Sequence, residues 1–131
     1  MSPEYRLSEI RQVAVTVSDV GTALLFYRDV LGLTFLFSPA PTIAFLAAGD
    51  VRIMLSTPQG AGTVGRNSIL YFKVTDIAAT HAAIVARGAR SERAPQITAR
   101  MPDHDLWSAF VSDPDGNLVG LMEERLKSRA A

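Results

Sequence analysis

The chain has 131 residues, of which 48% are hydrophobic and 20% charged, and its 13 Lys and Arg balance its 13 Asp and Glu. This length suits one domain that buries a core, and the neutral charge argues against nucleic acid or an anionic membrane as a partner. Since there is no Cys, disulfides, thiolate metal sites and thiol redox chemistry are excluded.

Targeting signals are not evident in the chain. No apolar run approaches the roughly 20 residues of a spanning helix, and the start at Met1 lacks the apolar core of a signal peptide. A soluble protein of the cytoplasm is therefore the default expectation.

The first half of the chain predicts one β-α-β-β-β unit. Apolar residues alternate from Ile10 to Val17, as in a half-buried strand. Ser18-Asp19 then offers a helix N-cap, and a helix is expected from Thr22 to Leu31, ended by Gly32. Three further strands are predicted, namely Leu33–Phe37, Thr42–Ala47 and Val51–Thr57.

The second half predicts the same order. A strand over Ile69–Val74 is followed by the N-cap pair Thr75-Asp76 and a helix from Ile77 to Arg87 that Gly88 closes. The remaining predicted strands are Ala89–Arg100 with an interruption at Pro95, Leu106–Ser112 and Leu118–Met122. Asp113-Pro-Asp-Gly-Asn117 has the residues of a type I turn, and the polar end from Glu123 predicts a frayed helix or a disordered tail.

The two halves are an internal repeat. Val17-Ser-Asp-Val20 recurs as Val74-Thr-Asp-Ile77 after 57 residues, and Gly49-Asp50 corresponds to Asp115-Gly116 after 66. Such a unit does not usually close its own core alone. We therefore expect a single domain over residues 5–125, with module one at 8–58, a linker at 59–67, module two at 68–124 and a tail at 125–131.

Three segments together resemble the glyoxalase/bleomycin-resistance/dioxygenase group, also called the vicinal oxygen chelate superfamily. They are Gln12-Val-Ala-Val-Thr-Val-Ser-Asp19, Ala23-Leu-Leu-Phe-Tyr-Arg-Asp-Val-Leu-Gly-Leu33 and Phe110-Val-Ser-Asp-Pro-Asp-Gly-Asn117. The resemblance implies an α+β fold of two tandem βαβββ modules that form a curled mixed sheet around a cleft, and usually a homodimer. Because the superfamily contains metal-dependent enzymes as well as metal-free drug-binding proteins, it does not fix the function.

The resemblance also implies where a metal would bind. Its four ligand positions fall on Gln12, Met54, Ile69 and Gly120, two in each module. Ile and Gly offer no donor, and a thioether is a poor ligand for Zn, Ni, Mn or Fe(II). We therefore predict that no divalent metal is bound as a cofactor.

Strand alternation adds further residues to the expected cleft. If Val13, Val15 and Val17 face the helices, the cleft side receives Gln12, Ala14, Thr16, Arg52, Met54, Ser56, Ile69, Tyr71, Lys73, Leu118, Gly120 and Met122. Arg52 and Lys73 are the cations of this set. One hypothesis is a planar or apolar ligand with an anionic group; the alternative is that both cations are solvated at the rim.

Other residues outside this set are candidates for catalysis or for ligand binding. His104 is a candidate general acid or base, and its alternative role is that of a loop residue bonded to its neighbours. Trp107 could stack on a ligand, as could Phe110, although both could instead pack in the core. Gly60-Ala-Gly-Thr-Val-Gly65 matches a dinucleotide fingerprint but runs into a strand, which favours a linker.

The leading hypothesis for function is a protein that binds a small organic molecule in its cleft without the usual metal. One alternative is a glyoxalase-like lyase or isomerase, or a dioxygenase-family enzyme, that uses acid/base chemistry or a metal relocated to Gln12, His104 and Glu123. Another is a structural or regulatory dimer whose cleft is vestigial.

Overall fold

Two βαβββ modules follow each other along the chain in the computed structural model, which describes residues 7–58, 63–65 and 68–127. Module one contains β1 (Gln12–Thr16), α1 (Val20–Leu24) with a π-helical continuation (Leu25–Val30), β2 (Thr34–Ala40), β3 (Ile43–Ala48) and β4 (Val51–Ser56). Module two contains β5 (Leu70–Lys73), α2 (Ile77–Ala86), β6 (Arg90–Arg100), β7 (His104–Ser112) and β8 (Leu118–Leu126). Across the described ranges, the helices are all too short or too polar to traverse a bilayer.

Each module builds one four-stranded mixed sheet, and the two sheets have the same topology. Their strand orders are β1-β4-β3-β2 and β5-β8-β7-β6, and in each the first and fourth strands pair in parallel. Ala14 pairs with Met54 in the first sheet, and Tyr71 pairs with Gly120 in the second. Tyr71 follows Ala14 by 57 residues and Gly120 follows Met54 by 66, which are the offsets of the internal repeat. The predicted fold of two tandem βαβββ modules is confirmed.

Both helices follow their predicted N-caps, although the first begins at Val20, two residues before the predicted Thr22, and becomes π-helical after Leu24. Asp19 caps the first helix by accepting a hydrogen bond from the Thr22 amide at 2.8 Å, and Asp76 accepts one from the Ala79 amide at 3.1 Å in the second. Gly88 follows α2 with a φ of 108°, a conformation that glycine adopts without strain. These local signals thus orient both helices against their sheets.

Strands β2 and β8 run further than expected, and β6 lacks the expected interruption. β2 continues through Pro39 and β6 through Pro95; both are edge strands, where a missing amide donor breaks no ladder. β8 extends to Leu126 by pairing with the start of β7, so the expectation of a frayed helix or disorder from Glu123 is wrong for residues 123–126. Residues 128–131 and the first half of the Gly60–Gly65 motif lie outside the described residues.

A buried carboxylate joins the two modules. Asp113, at the start of the turn between β7 and β8, is 5% exposed and accepts a hydrogen bond from the Tyr27 hydroxyl of module one at 2.9 Å. It also accepts from the amides of Asp115 and Asn117. The Ser18 hydroxyl donates to Asp115 at 2.5 Å in the same junction. The turn therefore fixes one module against the other, and both share one apolar core.

Candidate functional site

Each sheet has one face against the helices and one face that points away from them, which we call its open face. Val13, Ile53 and Leu55 of module one pack into the core on the helix side. Alternate residues therefore lie on the open face. The residues of the first sheet on this face are Gln12, Ala14, Thr16, Phe37, Ile43, Phe45, Ala47, Arg52, Met54 and Ser56.

Arg52 lies on the first open face near the start of β4, opposite Gln12. Its Nε donates to Gln12 Oε1 at 2.8 Å, and Gln12 Nε2 in turn donates to Met54 Sδ at 3.7 Å. The guanidinium carbon lies 5.0 Å from the centre of the Phe45 ring, within the range of a cation–π contact. Within the described ranges, no carboxylate forms an ion pair with Arg52. The guanidinium is therefore held by an amide and a ring.

An aromatic pair extends this face toward the edge strand. Phe37 of β2 stacks on Phe45 of β3, with ring centres 4.8 Å apart and 29° between planes. Phe37 is 47% exposed, so part of its ring remains in water. Phe37 and Phe45 were not predicted from the sequence, because alternation along the first, fourth, fifth and eighth strands does not include β2 or β3.

The open face of the second sheet is arranged differently. The Tyr71 ring lies on Gly120, so that a Cβ placed on this glycine would meet Tyr71 Cδ1 at 2.7 Å. Tyr71 also contacts Phe110 edge-on at 5.7 Å. Arg93 lies 4.6 Å above the Phe110 ring and donates to Ser108 Oγ at 2.7 Å. Module two thus has the large Tyr71 on its first strand and the small Gly120 on its fourth. Module one has the reverse, with the small Ala14 on its first strand and the large Met54 on its fourth.

The other residues that the sequence predicted for the cleft lie at separate places in the structure. Thr16 borders a cavity of about 290 Å³ between the modules, and Lys73 is exposed on the second open face. Ile69 precedes β5 and is partly exposed. Trp107 was expected in the cleft, but it packs on the helix side with the core, because it shares strand parity with Ala109 and not with Phe110.

His104 and Glu123 lie on opposite faces of the second sheet. His104 Nδ1 is 2.7 Å from Asp103 Oδ1, and this hydrogen bond lowers the pKa of Asp103. Glu123 accepts from the Ile77 amide at 2.9 Å at the start of α2. Its hydrogen bond with Arg125 is the largest cause that lowers the pKa of Glu123. The relocated metal set of Gln12, His104 and Glu123 is therefore not brought together.

A divalent metal does not fit the four positions that the family resemblance implies. The only strong oxygen donor among them, Gln12 Oε1, already accepts from the Arg52 guanidinium, whose positive charge would repel a cation. At position 120, the Tyr71 ring occupies the space that a carboxylate side chain would need. The described residues also contain no group of three His, Asp or Glu side chains placed to bind a metal.

A larger open cavity of about 1040 Å³ lies at the end of the second sheet. Arg93 and Phe110 form part of its wall, and carboxylates form another part. Arg93 reaches this side because the strand register shifts between Ser91 and Arg93. Glu92 also lies at this cavity and accepts from Ser112 Oγ at 2.8 Å. Bulges of this kind are poorly predicted from alternation, which is why Arg93 was not selected from the sequence.

Comparison with known proteins agrees with this architecture. The chain is similar to a lactoylglutathione lyase from Agrobacterium tumefaciens, with a TM-score of 0.74, 25% identity and coverage of 90% of this chain and 95% of that one. It is also similar in fold to a virulence protein from Salmonella typhimurium, with a TM-score of 0.75, 24% identity and coverage of 91% and 98%. The curated proteins offer no match. Because residues 9–121 match its family description, the chain belongs to the Glyoxalase/Bleomycin resistance protein/Dioxygenase superfamily.

Proposed function

We propose that this protein binds a small organic molecule on the open face of its first sheet and does so without a divalent metal. The observation that carries the proposal is the hydrogen bond from Arg52 to Gln12 Oε1, which places a fixed cation where the superfamily would place a metal. Tyr71 on Gly120 closes the matching position in module two. We expect a homodimer in the cytoplasm, with the small molecule as its ligand.

The surface around Arg52 suits a flat organic ligand. Small-molecule sites are mostly apolar with a few polar groups that fix orientation. Phe37, Phe45 and Met54 supply the apolar part, and Gln12 and Arg52 supply the polar part. Covering the exposed part of Phe37 removes apolar area from water, which favours binding by about 25 cal/mol per Å².

A second candidate function is a lyase, which the similarity to a lactoylglutathione lyase favours. Such an enzyme would need an acid or base beside the bound molecule. The proposed ligand surface lies on the first sheet, whereas His104 lies on β7 of the second sheet. His104 is bonded to Asp103, away from the aromatic surface. Binding without turnover is therefore the better supported proposal.

A thermal-shift screen of organic acids, amides and neutral aromatics, run in EDTA, tests the proposal. A ligand of the native state at about 100 times its Kd adds about 2.7 kcal/mol of stability. We expect hits whose shift is lost in Phe37→Ser but kept in Val85→Ser, which removes a comparably exposed apolar residue (37%) on α2.

Three outcomes would contradict the proposal. Hits that require added Zn or Ni would show that a metal completes the site. Turnover of lactoylglutathione that disappears in His104→Ala would favour the lyase. A screen without any hit, in a protein that is folded and dimeric, would favour a structural dimer with a vestigial cleft.

A further inference from the structure

We infer that the ligand of the first open face is an aromatic carboxylate, whose carboxylate binds the outer edge of the Arg52 guanidinium. This inference rests on the proposed function and names the chemical class of its ligand. It depends on three features of Arg52: its spare hydrogen-bond donors, its fixed position and the neutral surface around it.

The spare donors follow from the contacts of Arg52. A guanidinium has five N–H donors in a planar fork. The Nε donor is used by Gln12 Oε1, and within the described part of the chain the two terminal nitrogens donate to no side chain. A carboxylate matches the geometry of these nitrogens and accepts two parallel hydrogen bonds from them.

The position of Arg52 is fixed before a ligand arrives. Gln12 holds one edge of the guanidinium, and the Phe45 ring lies 5.0 Å from its central carbon. A side chain that is already ordered loses less conformational entropy when it binds. Arg52 is also half-buried, so its field is screened less than that of a fully exposed arginine.

The open face of the first sheet, as its strand residues define it, contains no acidic residue among those described. Its members other than Arg52 are Gln12, Ala14, Thr16, Phe37, Ile43, Phe45, Ala47, Met54 and Ser56. An approaching anion therefore meets one positive charge and no described negative one on this face. A single guanidinium matches a monoanionic carboxylate better than a phosphate dianion. The adjoining rings of Phe45 and Phe37 offer a surface for the aromatic part of the ligand.

Arg93 provides the internal comparison, because it also stacks on a phenylalanine. Its cavity wall includes Glu92 and Asp115, whose negative charges oppose an anion. Its Nε is buried without a hydrogen-bond partner among the described residues, so this donor is inaccessible to a ligand. The carboxylate is therefore assigned to Arg52 and not to Arg93.

Isothermal titration with 2-naphthoate and its neutral isostere 2-naphthamide tests the inference. We expect the wild-type protein to bind the acid about 10- to 100-fold more tightly than the amide, the range of a charge-assisted hydrogen bond. Arg52→Gln should remove this preference, and Arg52→Lys should retain part of it because the charge remains. The control Arg87→Gln, which removes one exposed charge at the end of α2, should keep the full preference. Circular dichroism checks that each variant folds.

The inference is overturned if the acid and the amide bind equally, or if neither binds. It is also overturned if Arg93→Gln loses the preference while Arg52→Gln keeps it. These failures differ from a failure of the proposed function. If neutral aromatics still bind in EDTA and lose affinity in Phe37→Ser, binding on this face stands and only the carboxylate class is wrong.

Discussion

Replacing Gly120 by Ala tests the arrangement of the second open face. A Cβ at this position would lie 2.7, 2.9 and 3.1 Å from three carbons of the Tyr71 ring. Contacts below 3.0 Å are not tolerated between carbon atoms, so the ring has to move. Tyr71 is 51% exposed, which lets its ring swing outward without disturbing the core.

The expected cost follows from that movement. Overpacking in a protein interior costs about 1–3 kcal/mol, and the partial exposure of Tyr71 places this case at the lower end. The swing also breaks the edge-on contact with Phe110, worth about 0.5–1.5 kcal/mol. We therefore expect Gly120→Ala to lower the free energy of unfolding by about 1–2 kcal/mol, or the Tm by about 3–8 °C in a domain of this size.

A double-mutant cycle in urea separates this effect from a general intolerance of side chains at position 120. In a Tyr71→Ala background the ring is absent, and Gly120→Ala should change the free energy of unfolding by less than about 0.5 kcal/mol. If Gly120→Ala costs the same in both backgrounds, Tyr71 does not lie on Gly120 and the reasoning is refuted.

Three further predictions concern stability. Tyr27→Phe removes one donor from the buried Asp113 carboxylate and should cost about 1.5–3 kcal/mol in urea unfolding; a change below about 0.5 kcal/mol would mean that this bond does not join the modules. Burial, followed by the charge of Asp113, raises the pKa of Tyr27. The unfolded chain releases this proton near pH 10 while the folded protein keeps it, so the free energy of unfolding should fall above about pH 10. Between about pH 9 and 11 the Tm of Tyr27→Phe should therefore fall less than that of the wild type. Parallel plots of Tm against pH for the two proteins would contradict this. The pKa of Glu123 is lowered by Arg125 and by the Ile77 amide, so its contribution to stability is present above about pH 4.3 and is lost as the pH falls further. The free energy of unfolding of Glu123→Gln should therefore fall less steeply with acid than that of the wild type. An equally steep fall in both proteins would argue against this cap.

Much of the fold could be predicted because its signals are local. The N-caps at Asp19 and Asp76 and the alternation along the strands each depend on a few neighbouring residues. The repeat then gave the equivalence of Met54 and Gly120 before any contact was known, and the strand register agrees with it. Strand alternation predicted Gln12 and Arg52 on the same side of the first sheet, where the structure pairs them directly.

Features that depend on register or on distant contacts could not be predicted. Register shifts in β6 move Arg93 onto the open face, and the packing of Trp107 on the helix side depends on contacts with the core that no local pattern shows. The turn at Asp113 was recognised as a turn, but its bond to Tyr27 spans 86 residues and leaves no local pattern. The stack of Phe37 on Phe45 similarly depends on the pairing of β2 with β3.

We propose that Arg52 and Tyr71 take the place of the superfamily's metal, and elemental analysis can test this claim. The protein is expressed with added Zn, Ni, Mn and Fe and purified without a chelator. We expect far less than one metal ion per chain, and the same low content in Gln12→Ala. One equivalent of any of these metals that is lost in Gln12→Ala would contradict the claim.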